Sequence, residues 1–195
     1  NALVGRLIET SGFSAAYLSG AALSAGVMAL PDIGLFTQTE LVQQTGYLTQ
    51  AVEIPVIVDA DTGYGNPLNV YRTVDELIRA GAAGCFLEDQ HWPKKCGHMR
   101  GKKVIDREEY IHKILAAVEA RNGRDFFIVA RTDAEQVHGL DEAIARVEAA
   151  RAAGADASFV EAPGSLEQLA EIGRRAPPPN VANMIEGGKT PVLPK

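Results

Sequence analysis

The feature that most constrains the fold is a regular alternation of short apolar runs, each ending in polar residues, with longer segments of helical pattern. Along the chain these runs read AAYLSG, PVIVDAD, GCFLED, FFIVARTD, ASFVEA and NVANM. Strands that alternate with helices predict a parallel sheet. Near-continuous apolar runs are typical of strands that are covered on both faces. We therefore expect six parallel strands.

Four helices are predicted with defined ends, at about residues 2–11, 66–81, 106–123 and 140–154. Asn66 followed by Pro67 is typical of a helix start, and Asp106 with Glu109 resembles a capping box. Glycines or Asn-Gly pairs close the four segments. The apolar stripes that we expect to face the sheet are Leu68, Tyr71, Val74, Leu77 and Ile78; Ile111, Ile114, Leu115 and Val118; and Leu140, Ile144, Val147 and Ala150.

A repeated junction narrows the fold class further. In SGFSAAYL, AGAAGCFL and AGADASFV a glycine that stops one helix is followed at once by a strand. This repeat, without a Gly-rich phosphate turn, favours an α/β fold of the (β/α)8 TIM-barrel type over a doubly wound sheet. One strand before residue 1 and one after residue 195 would complete eight. We expect a single barrel domain over residues 1–195 that lacks the first strand and the C-terminal part.

Charge and composition exclude several functional classes. The 195 residues carry a formal net charge of −6, which argues against nucleic acid as a partner. No apolar run approaches the roughly 18 residues of a membrane span, so we expect no membrane partner. The two cysteines, Cys85 and Cys96, are interpreted as free thiols, with Cys85 in the core of a strand. A cytoplasmic location is expected.

Polar residues follow the strands at matching places. In a barrel the carboxyl ends of all strands meet at the catalytic face. A single acidic residue there can be explained as a cap of the next helix, but the same pattern after five strands favours a functional site. These residues are Ser19, Asp59, Asp61, Glu88, Asp89, Arg131, Asp133, Glu161 and Asn183.

The DAD sequence at 59–61 points to a metal ion. Residues two apart on a strand project to the same side, so the Asp59 and Asp61 carboxylates are expected to be neighbours. A divalent cation relieves the repulsion between two such carboxylates. With Glu88 from the next strand they form an all-oxygen donor set, which suits Mg²⁺ or Mn²⁺ and not zinc. Asp32 is a further candidate, although a turn residue after a proline explains it equally well.

The segment PKKCGHMRGKK (93–103) is the least ordinary part of the chain. It holds Cys96, His98 and five Lys or Arg residues in an otherwise acidic protein. A Cys-Gly-His sequence alone is not a zinc motif. A solvated basic loop remains an alternative to a loop with a reactive thiol. Lys94, Lys95 and His98 lie close to Cys96 in sequence, and nearby cations favour a thiolate.

Several motifs together resemble the isocitrate lyase and phosphoenolpyruvate mutase superfamily. They run in the family's order across nearly the whole chain: YLSG, LPDIG, VDADTGYG, LEDQ with PKKCGH, VARTDA and NMIEGGKTP. The Lys-Lys-Cys-Gly-His sequence is similar to that of the carbon–carbon lyases acting on isocitrate, 2-methylisocitrate and 2,3-dimethylmalate. NMIEGGKTP is similar to dimethylmalate lyases and to carboxyphosphonoenolpyruvate mutase, which also carries a Cys-Gly-His loop.

The resemblance implies a metal site and a substrate site. Asp59 would be the direct Mg²⁺ ligand, with Asp32, Asp61 and Glu88 reaching the ion mostly through water. The implied partner is a small anionic 2-hydroxy acid, and the implied assembly is a homo-oligomer, a tetramer in the family. The residues implied to bind the substrate are Ser19, Gly20, Ala21 (where the family often has glycine), Lys94, Gly97, Arg131, Glu161 and Asn183. Cys96, Gly97 and His98 would form a mobile gate.

The implied chemistry is a retro-aldol cleavage of a 2-hydroxy dicarboxylate. Cys96 would act as the general acid that protonates the carbanion, beside His98 and Arg131. Either Tyr17 or a metal-bound hydroxide would be the base. Two alternatives stay open: a phosphonomutase or related enzyme of P–C bonds, and a catalytically inactive barrel fragment.

Overall fold

A computed structural model describes residues 1–99 and 101–193; Arg100, which the sequence analysis counts in the basic segment, lies outside the described residues. Six parallel strands form one sheet in the order in which they occur along the chain. The strands are β1 (Ala16–Leu18), β2 (Val56–Asp59), β3 (Gly84–Glu88), β4 (Phe127–Thr132), β5 (Ala157–Val160) and β6 (Asn180–Val181). All six predicted strands are therefore confirmed.

The described residues also form helices in each strand connection and before β1. These are α1 (Ala2–Thr10), α2 (Gly20–Met28), α3 (Gln38–Thr49), α4 (Pro67–Arg79), α5 (Arg107–Arg121), α6 (Glu135–His138), α7 (Leu140–Ala152) and α8 (Leu166–Arg175). The four helices predicted from the sequence are confirmed, as α1, α4, α5 and α7. Within residues 1–99 and 101–193, no helix combines the length and apolar character needed to cross a membrane.

The sheet is curled, as in a β/α barrel. Side chains from five strands (Tyr17, Ile57, Phe86, Phe159 and Val181) line one cavity on its inner face, which a flat sheet would not permit. The opposite, convex face packs against the helices through alternate residues such as Val58, Cys85 and Ile128, all of them fully buried. This arrangement confirms the predicted class, an α/β fold of barrel type.

Alternation along each strand sorts the inner face into two layers. Neighbouring strands are in a register that aligns Phe86 with Val129, and Glu88 with Arg131. Residues two apart in a strand share a face. On the inner face, each apolar residue is therefore followed two positions later by a polar residue, nearer the carboxyl end of the strand. The pairs are Tyr17 and Ser19, Ile57 and Asp59, Phe86 and Glu88, Val129 and Arg131, Phe159 and Glu161, and Val181 and Asn183. The predicted site residues thus form a layer above an apolar floor.

Two details of the helix predictions were wrong. Asp106 precedes α5, but its side chain makes no capping hydrogen bond, so the predicted capping box is absent. In α4 the buried face consists of Val70, Thr73, Val74 and Leu77, whereas Leu68 and Tyr71 are exposed. Thr73 tolerates burial because its hydroxyl donates to the Asn69 and Gly63 carbonyls, which a polarity pattern does not reveal. Leu115 of α5 is likewise exposed.

We predict that Cys85→Ser destabilises the fold more than Cys96→Ser does. Cys85 is fully buried in an apolar layer, where burial also raises the pKa of its thiol. A serine hydroxyl there lacks a partner, which costs about 1–3 kcal/mol. The measurement is the free energy of unfolding in denaturant, with Cys96→Ser in the half-buried loop as the matched control. Equal stabilities of the two variants would contradict the assignment of Cys85 to the core.

Candidate active site

Most of the predicted site residues line one cavity of about 270 Å³ at the carboxyl ends of the strands. Its lining includes Tyr17, Ser19, Ala21, Asp32, Asp59, Lys94, Cys96, Gly97, His98, Arg131, Glu161 and Asn183. The remaining three, Gly20, Asp61 and Glu88, are buried next to this lining. The structure therefore brings all the predicted residues together at one end of the sheet.

Arg131, at the end of β4, is the centre of the charged layer. Its Nη2 atom lies 3.3 Å from Glu88 Oε2 and 3.3 Å from Glu161 Oε2, and its Nε atom donates to Asp133 Oδ2 over 3.0 Å. Burial by itself would lower the pKa of Arg131, but Asp133, Glu88 and Glu161 outweigh it and raise that pKa well above its usual value. The guanidinium is therefore a fixed positive charge in the cavity wall.

The Asp59 and Asp61 carboxylates are neighbours, but not for the predicted reason. Asp59 ends β2, whereas Asp61 lies beyond the strand with a φ of +47°, so strand alternation does not place it. The left-handed turn brings both carboxylates to Gly20, where an added Cβ would lie 3.3 Å from an oxygen of each. Asp59 is held by the N–H groups of Gly20 and Asp61, both at 3.2 Å.

Lys94 lies among four carboxylates, those of Asp32, Asp59, Asp61 and Glu88, which we call the acidic group. Its ammonium forms ion pairs with Asp32 and with Asp61, the latter at 2.8 Å, and its side chain is only 4% exposed. Burial favours a lower pKa for Lys94, but Asp61, Asp59 and Glu88 raise it above the usual value. Lys94, which was predicted to bind the substrate, thus pairs with two of the carboxylates in this structure. Asp32 has a specific partner here and is more than a turn residue.

The acidic group has more negative charge than its neighbours compensate. Burial, followed by repulsion from Asp59, raises the pKa of Asp61 to about 7 even though Lys94 opposes the shift. Burial also raises the pKa of Glu88, whose Oε1 atom has no hydrogen-bond partner among the described residues. Uncompensated carboxylate oxygens are the donors that Mg²⁺ and Mn²⁺ prefer, so the donor chemistry fits such an ion. Across residues 1–99 and 101–193, however, no three acidic, His or Cys side chains converge on one metal position.

The start of α2 lies beside these carboxylates. Ser19 is its N-cap, with Oγ accepting from Ala22 N over 3.3 Å, and the N–H of Gly20 donates to Asp59. Capping, the simpler explanation for a polar residue after a strand, is thus correct for Ser19. Of the three residues predicted to bind the substrate here, Ser19 and Gly20 already have partners within the protein. Ala21 follows them on the wall of the cavity.

Tyr17 lies on the inner face of β1, with its ring centroid 5.0 Å from that of Phe86. Partial burial, and then the Asp59 carboxylate, raise the pKa of the phenol well above 10. A phenol with a raised pKa stays protonated near neutral pH. In this state the phenol can donate a hydrogen bond, and the choice between Tyr17 and a metal-bound hydroxide as the base stays a prediction.

The cysteine loop, which the structure describes at residues 93–99 and 101–103, lines the cavity with residues 94–98. Gly97 is packed so closely on the wall that a Cβ there would lie 2.6 Å from Glu161 Cγ. Cys96 is half-buried and lines the cavity. The lysines before it point elsewhere: Lys94 enters the acidic group, and Lys95 donates to the Gly101 carbonyl over 3.0 Å. That cations close to Cys96 in sequence favour its thiolate stays a prediction.

His98 contacts residues from two other parts of the chain. Its Nδ1 atom accepts from the backbone N–H of Lys189 at 3.1 Å, and its Nε2 atom lies 3.1 Å from Glu161 Oε1. These two contacts join His98 to the residue that follows β5 and to the segment around Lys189. Glu161 is also 3.5 Å from Asn183 Nδ2, which places Asn183 in the same group.

Sequence reasoning missed a buried network behind the cavity. Asp89 accepts from Thr132 Oγ1 at 2.6 Å, from Asp133 N at 2.8 Å and from Arg146 Nη1 at 3.0 Å. Lys102 joins the network through Asp133. Arg146 comes from the buried face of α7, where a charged residue interrupts the apolar stripe. That interruption was the available signal, since a buried charge requires a partner.

Comparison with known proteins agrees with this geometry. Residues 1–193 match the family described as phosphoenolpyruvate phosphomutase. The chain is 54% identical to the petal death protein of Dianthus caryophyllus (98% of this chain, 61% of that one) and 54% identical to the chloroplastic carboxyvinyl-carboxyphosphonate phosphorylmutase of Arabidopsis thaliana (98% and 58%). It is 53% identical to 2-methylisocitrate lyase of Aeropyrum pernix (99% and 62%). The chain thus spans about three fifths of the length of these relatives.

Solved structures of similar proteins share the fold. All of this chain superposes on 66% of 2,3-dimethylmalate lyase with a TM-score of 0.95 at 40% identity, and on 67% of oxaloacetate acetylhydrolase with a TM-score of 0.95 at 39% identity. A phosphonopyruvate hydrolase in complex with oxalate and Mg²⁺ matches 92% of this chain, and 62% of its own, with a TM-score of 0.80 at 31% identity. The chain therefore belongs to the phosphoenolpyruvate phosphomutase family, within the PEP mutase/isocitrate lyase superfamily.

Proposed function

We propose that this protein is a Mg²⁺-dependent carbon–carbon lyase that cleaves a 2-hydroxy dicarboxylate, of the 2-methylisocitrate or 2,3-dimethylmalate type, to a 2-oxo acid and a carboxylate. The observation that carries the proposal is the place of Cys96, on a loop that lies over a cavity walled by Arg131 and by buried carboxylates. Relatives named as lyases of these two substrates support it.

The metal would be held by the acidic group of Asp59, Asp61, Asp32 and Glu88, with Mn²⁺ as an alternative to Mg²⁺. When bound, such an ion polarises the hydroxyl and the adjacent carboxylate of the substrate. The related phosphonopyruvate hydrolase has been solved in complex with Mg²⁺ and oxalate, a small dicarboxylate, which supports this choice. The excess negative charge around Asp61 and Glu88 is the feature of this chain that favours a cation.

The chain's own residues would bind the substrate and move its protons. Arg131 would bind a carboxylate, with Ser19, Gly20, Ala21, Lys94, Glu161 and Asn183 completing the surroundings of the substrate. Loss of the hydroxyl proton converts the C–O bond to C=O while the electrons of the breaking C–C bond pass to the leaving carbon. The Cys96 thiol then donates its proton to that carbon. Tyr17, or a hydroxide that the bound metal would supply, would take the hydroxyl proton in the first step.

The loop would also exclude water from the reaction. A carbanion next to a carboxylate is protonated by any nearby acid, so a covered cavity directs that proton transfer to Cys96. Gly97 contacts the wall at Arg131 and Glu161, and His98 contacts Glu161 from the same side. These contacts support a role for Gly97 and His98 in closing the site.

A phosphonomutase or related enzyme of P–C bonds is the second candidate. The 54% identity to the Arabidopsis phosphorylmutase favours this candidate, because a protein so similar in sequence is named for chemistry on a phosphonate. A turnover screen separates the two candidates. It would offer 2-methylisocitrate, 2,3-dimethylmalate, oxaloacetate and carboxyphosphonoenolpyruvate with Mg²⁺, and read out 2-oxo acid, oxalate or the phosphorus-containing product. The proposal includes a cytoplasmic location and a homo-oligomer, of four subunits by family resemblance. Light scattering measures the number of subunits.

We predict that Cys96→Ser loses lyase turnover by about a hundredfold or more, the usual range for a general acid. The serine hydroxyl is a far weaker acid than a thiol, and the half-buried loop position should keep the fold and the Mg²⁺ affinity unchanged. The measurements are kcat on the best lyase substrate and calorimetric Mg²⁺ affinity. Wild-type turnover in this variant would remove the thiol from the mechanism and favour the phosphonomutase.

We also predict that Asp59→Ala abolishes Mg²⁺ binding and turnover, while Asp61→Ala weakens Mg²⁺ binding less. Asp59 is the proposed direct ligand, and removal of Asp61 also frees Lys94 from one of its partners. Calorimetric titration with Mg²⁺ measures both affinities. Asp125→Ala, an exposed acid at the other end of the sheet before β4, is the control and should bind as the wild type does. Unchanged affinity in Asp59→Ala would refute the metal site.

A further inference from the structure

The cysteine loop contains two pairs of adjacent lysines, and the first lysine of each pair is buried. Lys94 and Lys102 are 4% and 7% exposed, whereas Lys95 and Lys103 lie at the surface. A buried ammonium is costly unless it is paired and hydrogen-bonded. Lys94 belongs to the acidic group described above. Lys102 has no part in the proposed chemistry, so its burial requires a separate explanation.

Lys102 makes two short contacts that join the loop to the sheet. Its Nζ atom donates to the Gly97 carbonyl over 2.5 Å and to Asp133 Oδ1 over 2.6 Å. The side chains of Lys102 and Asp133 are 1% and 0% exposed, so solvent does not screen this ion pair. By contrast, the ammonium of Lys95 donates to the Gly101 carbonyl, within the loop.

The Gly97 end of this link is the part of the loop closest to the cavity. Gly97 lies between Cys96 and His98, and its α-carbon packs against Arg131 and Glu161 without room for a side chain. A bond to the Gly97 carbonyl therefore fixes the backbone from which the Cys96 thiol and the His98 ring extend.

The Asp133 end is fixed independently of the loop. The N–H of Asp133 donates to Asp89 Oδ1 at 2.8 Å, and its Oδ2 atom accepts from Arg131 Nε at 3.0 Å. One carboxylate thus pairs with Lys102 from the loop and with Arg131 from β4. The position of the loop and the orientation of Arg131 depend on the same group.

We propose that Lys102 is a positioning residue, which holds the Cys96–His98 segment over the cavity by linking the Gly97 carbonyl to Asp133 without contacting the substrate. Its effect on turnover rests on the proposed function. Its effect on the loop does not, because the loop position can be measured without any substrate.

The test is the rate at which iodoacetamide labels each cysteine of the whole protein, read by mass spectrometry. Cys96 reports the loop, and Cys85, fully buried in β3, reports unfolding. In Lys102→Met we expect Cys96 to be labelled about tenfold faster or more, since hydrogen bonds from a charged group are lost. Cys85 should stay unlabelled. Lys103→Met, which removes the adjacent exposed lysine, should label as the wild type does.

A second variant guards against loss of folding. Lys102→Met leaves the buried Asp133 carboxylate with one cation fewer, which could destabilise the fold. Combining it with Asp133→Asn removes that buried negative charge. The Gly97 carbonyl still lacks its donor in this double variant. Fast labelling of Cys96 alone in this double variant supports the inference. Wild-type labelling of Cys96 in both variants, or equal acceleration of Cys96 and Cys85 in both, overturns it.

Turnover separates this inference from the proposed function. With an active lyase substrate, Lys102→Met should lower kcat by about tenfold or more while the Mg²⁺ affinity stays unchanged, which a general loss of stability would not produce. If the wild type cleaves none of the lyase substrates but the labelling changes as expected, the lyase assignment fails and the positioning role stands. An unchanged kcat, with Cys96 labelled faster, would overturn the link between loop position and turnover.

Discussion

The contact of Arg131 with three buried carboxylates is the interaction on which the site depends. Glu88, Asp133 and Glu161 come from the ends of three neighbouring strands, and the guanidinium between them offsets the cost of burying their charges. Asp133 is paired with Lys102 as well. Arg131 also lies 5.5 Å above the ring of Phe159, which fills the space below it. A planar group with several donors can serve three partners at once, which a lysine at this position would not do.

The strand geometry explains why such a concentration of charge is tolerated. Alternation puts one polar residue directly above each inner apolar residue, so the charged layer has an apolar floor and a rim open to the cavity. Each charge can therefore be paired sideways with a neighbour on the next strand. The helix-facing side of the same strands is mostly apolar, and its buried polar residues Thr132 and Ser158 both have hydrogen-bond partners.

The fold and the membership of the site were largely predictable from the sequence, because both are carried by short-range patterns. A strand, a polar strand end and a glycine stop each occupy a few consecutive residues. The partners within the site were not predictable, because they lie far apart in sequence: Lys94 meets Asp32, Lys102 meets Asp133 and His98 meets Lys189. The closeness of Lys94 and His98 to Cys96 in sequence did not reveal these partners. The closeness of Asp59 and Asp61 was predicted through the wrong geometry, because a left-handed residue after the strand cannot be recognised from Asp alone.

The two-layered inner face has a consequence for how proteins of this shape can diversify. The charged layer is held by ion pairs among its own members, so it does not rely on the exact volumes of Ile57, Phe86 or Val181 beneath it. Exchanges among apolar residues of the floor would change the room for an alkyl substituent and leave the charges above in place. For an enzyme of the proposed kind, selectivity among related acids would thus change separately from the residues that break the bond.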